Sequence, residues 1–76
     1  MTNSFLLLSC SMHTSKKVAN QLREISGVEE AIPVHGVYDC VVKTKKISPN
    51  EIQNLVSKHI RPMPNVHSVL PLQLIS

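Results

Sequence analysis

The order β-α-β-β-α-β is legible along this 76-residue chain and predicts an α+β sandwich: a four-stranded antiparallel sheet with two helices on one face. Three observations carry the prediction. Val18, Leu22 and Ile25, and later Ile52, Leu55, Val56 and Ile60, recur at helical spacing. Four β-type apolar runs flank and separate these two stripes. Phe5, Leu7, Val41 and the last run also place apolar side chains on both faces of the sheet, and no third helix remains to cover the second face.

The first strand opens at Phe5-Leu6-Leu7-Leu8 and extends to about Met12. It is an unbroken apolar run, as expected for burial on both faces. Thr14 or Ser15 caps the first helix, where Lys16, Lys17, Arg23 and Glu24 take the wet side. Ser26-Gly27 ends it, glycine supplying the left-handed terminal position. The second strand runs from Glu29 to His35; Pro33 lacks a backbone donor, which places this strand at a sheet edge. Gly36-Val37 turns the chain into a third strand from Tyr38 to Lys45. Ser48-Pro49-Asn50-Glu51 is a capping box with proline at the first helical position. Lys58, His59 and Arg61 lie near the end of the second helix, where positive charge is favoured, and Pro62 and Pro64 stop it. The last strand runs from Val66 to Ile75 around Leu70, Leu72 and Leu74. Together these make the ferredoxin-like split unit. The bare face predicts dimerisation through it, each large side chain buried there contributing about 1.5–3 kcal/mol.

Composition agrees with a single domain over residues 1–76. Hydrophobic residues are 42% and charged residues 17%, too apolar for disorder and sparse in charge for an uncovered surface. The net charge of +3 is too weak and scattered to predict direct nucleic-acid binding. Lys43, Lys45 and Lys46 have no aromatic stacking surface beside them and read as a solvated strand end. Cys10 and Cys40 are too few for a disulfide framework, no signal sequence is evident, and Phe5 to Leu8 is too short to span a membrane. The expectation is a reduced, cytoplasmic protein with its thiols in the core and no membrane contact. No nucleophile motif, phosphate loop or acid-base carboxylate pair is present, so no enzymatic activity and no catalytic residue are expected.

The residues with binding chemistry concentrate around Val34-His35-Gly36-Val37-Tyr38-Asp39. Tyr38 is the only tyrosine and Phe5 the only other aromatic. Asp39 beside Tyr38 suits a ligand's ammonium group, with backbone N–H groups near Gly36 available to its carboxylate.

Val18…Leu22…Ile25-Ser26-Gly27-Val28-Glu29-Glu30-Ala31, the turn Val34-His35-Gly36-Val37-Tyr38-Asp39-Cys40-Val41-Val42, the helix Leu55…Ile60 and the segment Met63-Pro64-Asn65-Val66-His67-Ser68 together resemble a RAM domain. That is the effector-binding and oligomerisation module of the Lrp/AsnC family of feast/famine transcription regulators. The likeness extends from Phe5 to Ile75 and is similar to stand-alone versions, without a DNA-binding helix-turn-helix.

It implies sheet-to-sheet dimers, rings of dimers, and an amino acid or related effector held between dimers near the Gly-x-Tyr-Asp turn. Gly36, Tyr38 and Asp39 match that motif, with Val37 inside it, and Ser68 matches a polar position of the last strand. His35 stands where threonine is frequent, and Val69 and Pro71 where relatives carry hydroxyls. The family brings His35 and His67 near the effector pocket. The implied partners are other copies of the chain, a small-molecule effector, and full-length regulators of the family by co-assembly.

The alternative function is divalent-metal or copper binding. His35, Asp39 and His67 offer imidazole and carboxylate donors for zinc, and Cys10, Met12 and His13 offer softer ones for copper. A metal ion is the only cofactor that these residues suggest.

Overall fold

The computed structural model describes residues 2–72. Four strands and two helices follow in the expected order: β1 Phe5–Cys10, α1 Ser15–Leu22, β2 Val28–Pro33, β3 Cys40–Thr44, α2 Pro49–Leu55 and β4 Val66–Leu72. The sheet is antiparallel throughout in the order β2-β3-β1-β4. β2 is an edge strand, as Pro33 requires.

Alternation along each strand separates the two faces. Leu6 and Leu8 of β1, Ala31 of β2, Cys40 and Val42 of β3 and Val69 of β4 are buried beneath the helices. They pack with Val18, Ala19 and Leu22 of α1 and with Ile52, Leu55, Val56 and Ile60 of the second helical segment. The other face is bare. Pairing aligns Ile32, Val41, Leu7 and Leu70 in one row across all four strands, with Phe5 beside Leu72 in the next. Leu7 and Val41 are half-buried, whereas Ile32, Leu70 and Leu72 are 49%, 44% and 45% exposed. Alternation therefore replaces the two-sided burial expected of the first strand.

Local signals set most element ends. Ser48 Oγ accepts from the Glu51 amide and the Glu51 carboxylate returns to the Ser48 amide, completing the capping box. Gly27 has φ +96°, the left-handed position anticipated after the first helix. That helix is shorter than its stripe, ending at Leu22 and continuing as hydrogen-bonded turns that keep Ile25 against the core. Thr14 occupies the N-cap position but does not cap; its hydroxyl donates to the Ser11 carbonyl at 2.7 Å. After Leu55 the second helix widens into a π turn, Val56–Ile60, closed by the Arg61 amide on the Val56 carbonyl.

Strand ends differ from expectation where long-range contacts intervene. β1 stops at Cys10, because the Ser11 amide turns to the Asn65 carbonyl at 2.8 Å and His13 adopts φ 63°. β2 stops at Pro33, leaving His35 beyond the sheet, and β3 begins only at Cys40. Tyr38 and Asp39 thus belong to the loop before β3. The end of the last strand beyond Leu72, including Leu74 and Ile75, lies outside the described residues.

Candidate functional site at the β2–β3 loop

Asp39 is the structural centre of this loop. Its backbone amide donates to the Leu8 carbonyl at 2.9 Å, and its carbonyl accepts from the Val34 amide at 3.0 Å. Its carboxylate Oδ2 accepts from the Cys10 amide at 2.8 Å. The ladder pairs Leu6 with Val42 and Leu8 with Cys40, so its next partner for Cys10 would be Tyr38. The chain leaves the sheet before that point, and the Asp39 side chain takes over the acceptor role. Oδ1 makes no hydrogen bond among the described residues. Asp39 therefore closes the sheet with one carboxylate oxygen and leaves the other without a hydrogen-bond partner among the described residues.

The approach to Asp39 is open. His35, Gly36 and Val37 are exposed, Val37 at 88%, while Tyr38 is half-buried. Gly36 has φ +130° with nothing within 4 Å of where a Cβ would stand, so its backbone conformation demands glycine, not the space around it. Two grooves lie elsewhere. One of about 730 Å³ runs between α2 and the outer edge of β4, lined by Asn50, Gln53, Arg61 and Pro71 among others. The second surrounds Gly27 and Lys45. None of the expected effector residues lines either groove.

On the other side of β1, β4 begins with a bulge. Ser9 pairs with Ser68 and Cys10 with Val66, which leaves His67 as the extra residue. Its Nε2 lies 2.9 Å from Ser11 Oγ. Ser9 is half-buried and Ser68 exposed. Pairing puts both on the bare face. Sequence reading missed Ser9 and Ser11; only the folded chain shows that they lie beside Ser68 and His67. The missing hydroxyls at Val69 and Pro71 acquire a different meaning here. Val69 is buried in the core and Pro71 pairs with Leu6 on the helix side, so neither faces this polar row.

The metal groupings are not formed within the chain. Among the described residues no three His, Cys, Asp or Glu side chains are placed to hold an ion. His35 follows β2 and His67 starts β4, the opposite edges of the sheet, three strand spacings of about 4.8 Å apart. Asp39 and His67 are also engaged by Cys10 and Ser11. Nor do Cys10, Met12 and His13 gather around a point. Met12 is 82% exposed, whereas Cys10 is drawn toward the core. Burial, and then the Asp39 charge, push the Cys10 thiol above its usual range. Burial foremost, with Cys10 second, pushes Cys40 up to about 11. Both cysteines are free thiols on neighbouring strands; Cys40 is in the core as anticipated, whereas Cys10 is only half-buried.

The family model of the Lrp/AsnC ligand binding domain matches residues 3–70. The chain belongs to the Lrp/AsnC family. The Lrp/AsnC sandwich is matched closely by solved structures. TTHA0845 from Thermus thermophilus superimposes with a TM-score of 0.90 at 21% identity, over 100% of this chain and 95% of that one. FFRP-DM1 matches with a TM-score of 0.87 at 25% identity, over 99% and 100%. The transcriptional regulator NMB0573 from Neisseria meningitidis, solved as an L-Met complex, matches with a TM-score of 0.82 at 13% identity, over 97% of this chain and 49% of that one. At these identities the structural likeness establishes the fold, and the family model establishes the membership. No curated protein matches the chain. No helix among the described residues is long and apolar enough to cross a membrane.

Proposed function

We propose that this Lrp/AsnC module senses a small molecule, an amino acid or a close derivative, and transmits its presence through assembly. The observation that carries this reading is the divided role of Asp39: one carboxylate oxygen is held by the Cys10 amide and the other is unpartnered, among the described residues, beside an exposed loop. A carboxylate fixed in this way is a pre-organised acceptor for an ammonium group, with half-buried Tyr38 adjacent. The ligand-binding family of the chain and the L-Met complex of a structurally similar regulator support the same chemistry.

The loop is exposed and offers only half an enclosure. A second copy supplies the other half. The apolar row Ile32-Val41-Leu7-Leu70 packs sheet to sheet into a dimer, and dimers meet end to end through the His35–Asp39 loop to make a ring. Ligand bound at such a junction favours the assembled form by mass action. The chain acts on transcription by co-assembly with full-length regulators of the family. The test is native mass and melting temperature against the twenty L-amino acids. At least one should raise both; no response to any of them would reject the reading.

A further inference from the structure

An edge strand presents unpaired amides and carbonyls, and a further strand adds there unless something prevents it. The edges of this sheet are β2 and β4. Hydrogen bonds of the inner strands fix which of their backbone groups point outward. The Ser4 and Leu8 carbonyls accept from the Thr44 and Asp39 amides, so even-numbered positions along β1 face β3. Leu6 is one of these, and its β4 partner Pro71 therefore turns its backbone away from the sheet, as does Val69 two residues before it. On β2 the Val34 amide donates inward to the Asp39 carbonyl at 3.0 Å, which by alternation turns Ala31 and Pro33 outward. The Ala31 carbonyl accordingly accepts from Arg23 Nε of the α1 side at 3.0 Å.

The two edges are interrupted in the same way. A proline stands at an outward position, Pro33 on β2 and Pro71 on β4, with no N–H to offer an added strand. A bulge breaks the register on the other side, with Glu29 the extra residue on β2 and His67 on β4. Between bulge and proline one outward residue remains on each strand, Ala31 and Val69. They are only 1% and 7% exposed, so neither presents its backbone freely. Arg23 also occupies the Ala31 carbonyl. Strand addition needs alternating donors and acceptors over several residues, and neither edge supplies such a run.

We infer that, within residues 2–72, Pro33 with Arg23 closes the β2 edge and Pro71 closes the β4 edge to strand addition, which leaves the bare face and the ends of the sandwich as the surfaces of association. The inference goes beyond the effector reading and does not depend on it. Closure matters to an assembling module, because edge pairing is open-ended: each added strand exposes a new edge. Face and end contacts close on themselves. The partner that this chain fits is therefore another sheet face, such as that of a second copy, and not an extended peptide.

The experiment gives the edges back their amides in the full chain. Pro71→Val opens β4, and Pro33→Val combined with Arg23→Ala opens β2. Pro71→Ala, and Pro33→Ala with Arg23→Ala, restore the same amides with a smaller side chain. Pro64→Val, in the loop before β4, controls for the loss of a proline. Circular dichroism confirms the fold, while light-scattering mass and thioflavin T fluorescence read association. At equal concentration each opened variant should exceed the wild type in mass by about twofold or more and gain dye fluorescence, the valine variants more than the alanine ones. Pro64→Val should match the wild type in both. Folded edge variants that keep the wild-type mass and dye signal overturn the inference, and so does an equal gain in Pro64→Val. Where a valine variant fails to fold, its alanine counterpart decides by the same criteria.

Discussion

The Asp39 carboxylate stands in for a backbone carbonyl: its Oδ2 accepts from the Cys10 amide at 2.8 Å where the strand ladder would call for Tyr38. One side chain therefore closes the β1–β3 pairing and presents the charge of the candidate site. The proposed function couples binding and stability at this position, and two substitutions separate them. Asp39→Ala leaves the part-buried Cys10 amide without its acceptor and should lower unfolding free energy by about 1–2 kcal/mol. Asp39→Asn keeps a carbonyl acceptor and should lie within about 0.5 kcal/mol of wild type while losing the amino-acid response. Urea unfolding alongside ligand-induced melting shifts measures both. An Asp39→Asn protein that responds normally would remove the carboxylate from the ligand site.

The two faces of β1 should respond differently to change. Leu8 is fully buried under the helices, and Leu8→Ala should cost about 2–5 kcal/mol of stability. Leu7 lies on the bare face, in the row with Val41 and Leu70. Leu7→Glu should preserve the helical circular dichroism signal but shift light-scattering mass toward the monomer. A variant that keeps its native mass would place the dimer contact elsewhere.

The capping box makes a purely local prediction. Ser48→Ala removes the acceptor for the Glu51 amide at 3.2 Å and should cost about 1 kcal/mol, read from the urea midpoint. Because α2 begins at the end of the sheet away from Asp39, the amino-acid response should persist in this variant.

Cys40 makes the fold sensitive to alkali. Burial, reinforced by Cys10, lifts its thiol from 9.0 to about 11 in the folded chain. A folded value above the unfolded one means that the native state holds the proton longer. The associated stability is complete below about pH 9 and is lost as pH rises toward 11. The loss should reach about 2 kcal/mol and be absent from Cys40→Ala, in urea titrations stepped from about pH 8 to about pH 11. Parallel pH profiles for the two proteins would show that the thiol does not govern the loss.

Much of the fold was legible because its signals are local. Pro33 excludes a central strand, Ser48 with Glu51 starts a helix, and Gly27 supplies a conformation that other residues rarely adopt; each works through a few neighbouring bonds. The candidate site was legible only as an inventory. Tyr38 and Asp39 were expected inside a strand and stand before it, because Cys10 captures the Asp39 side chain. His35, Asp39 and His67 were grouped as metal ligands from their positions beside strand ends, and strand order sets the two histidines at opposite edges of the sheet. The π turn at Val56–Ile60 had no counterpart in the apolar stripe, which continues through it.

By itself the sequence determined the order of the elements, the edge position of β2, the start of α2 and the polar residues that make up the candidate site. Tertiary structure alone decided which of them meet. A side-chain hydrogen bond brought Asp39 to Cys10, a one-residue bulge turned His67 to Ser11, and register set Ser9 against Ser68. The physical reason is that pairing register joins residues far apart in the chain, and a shift of one residue exchanges the two faces of a strand.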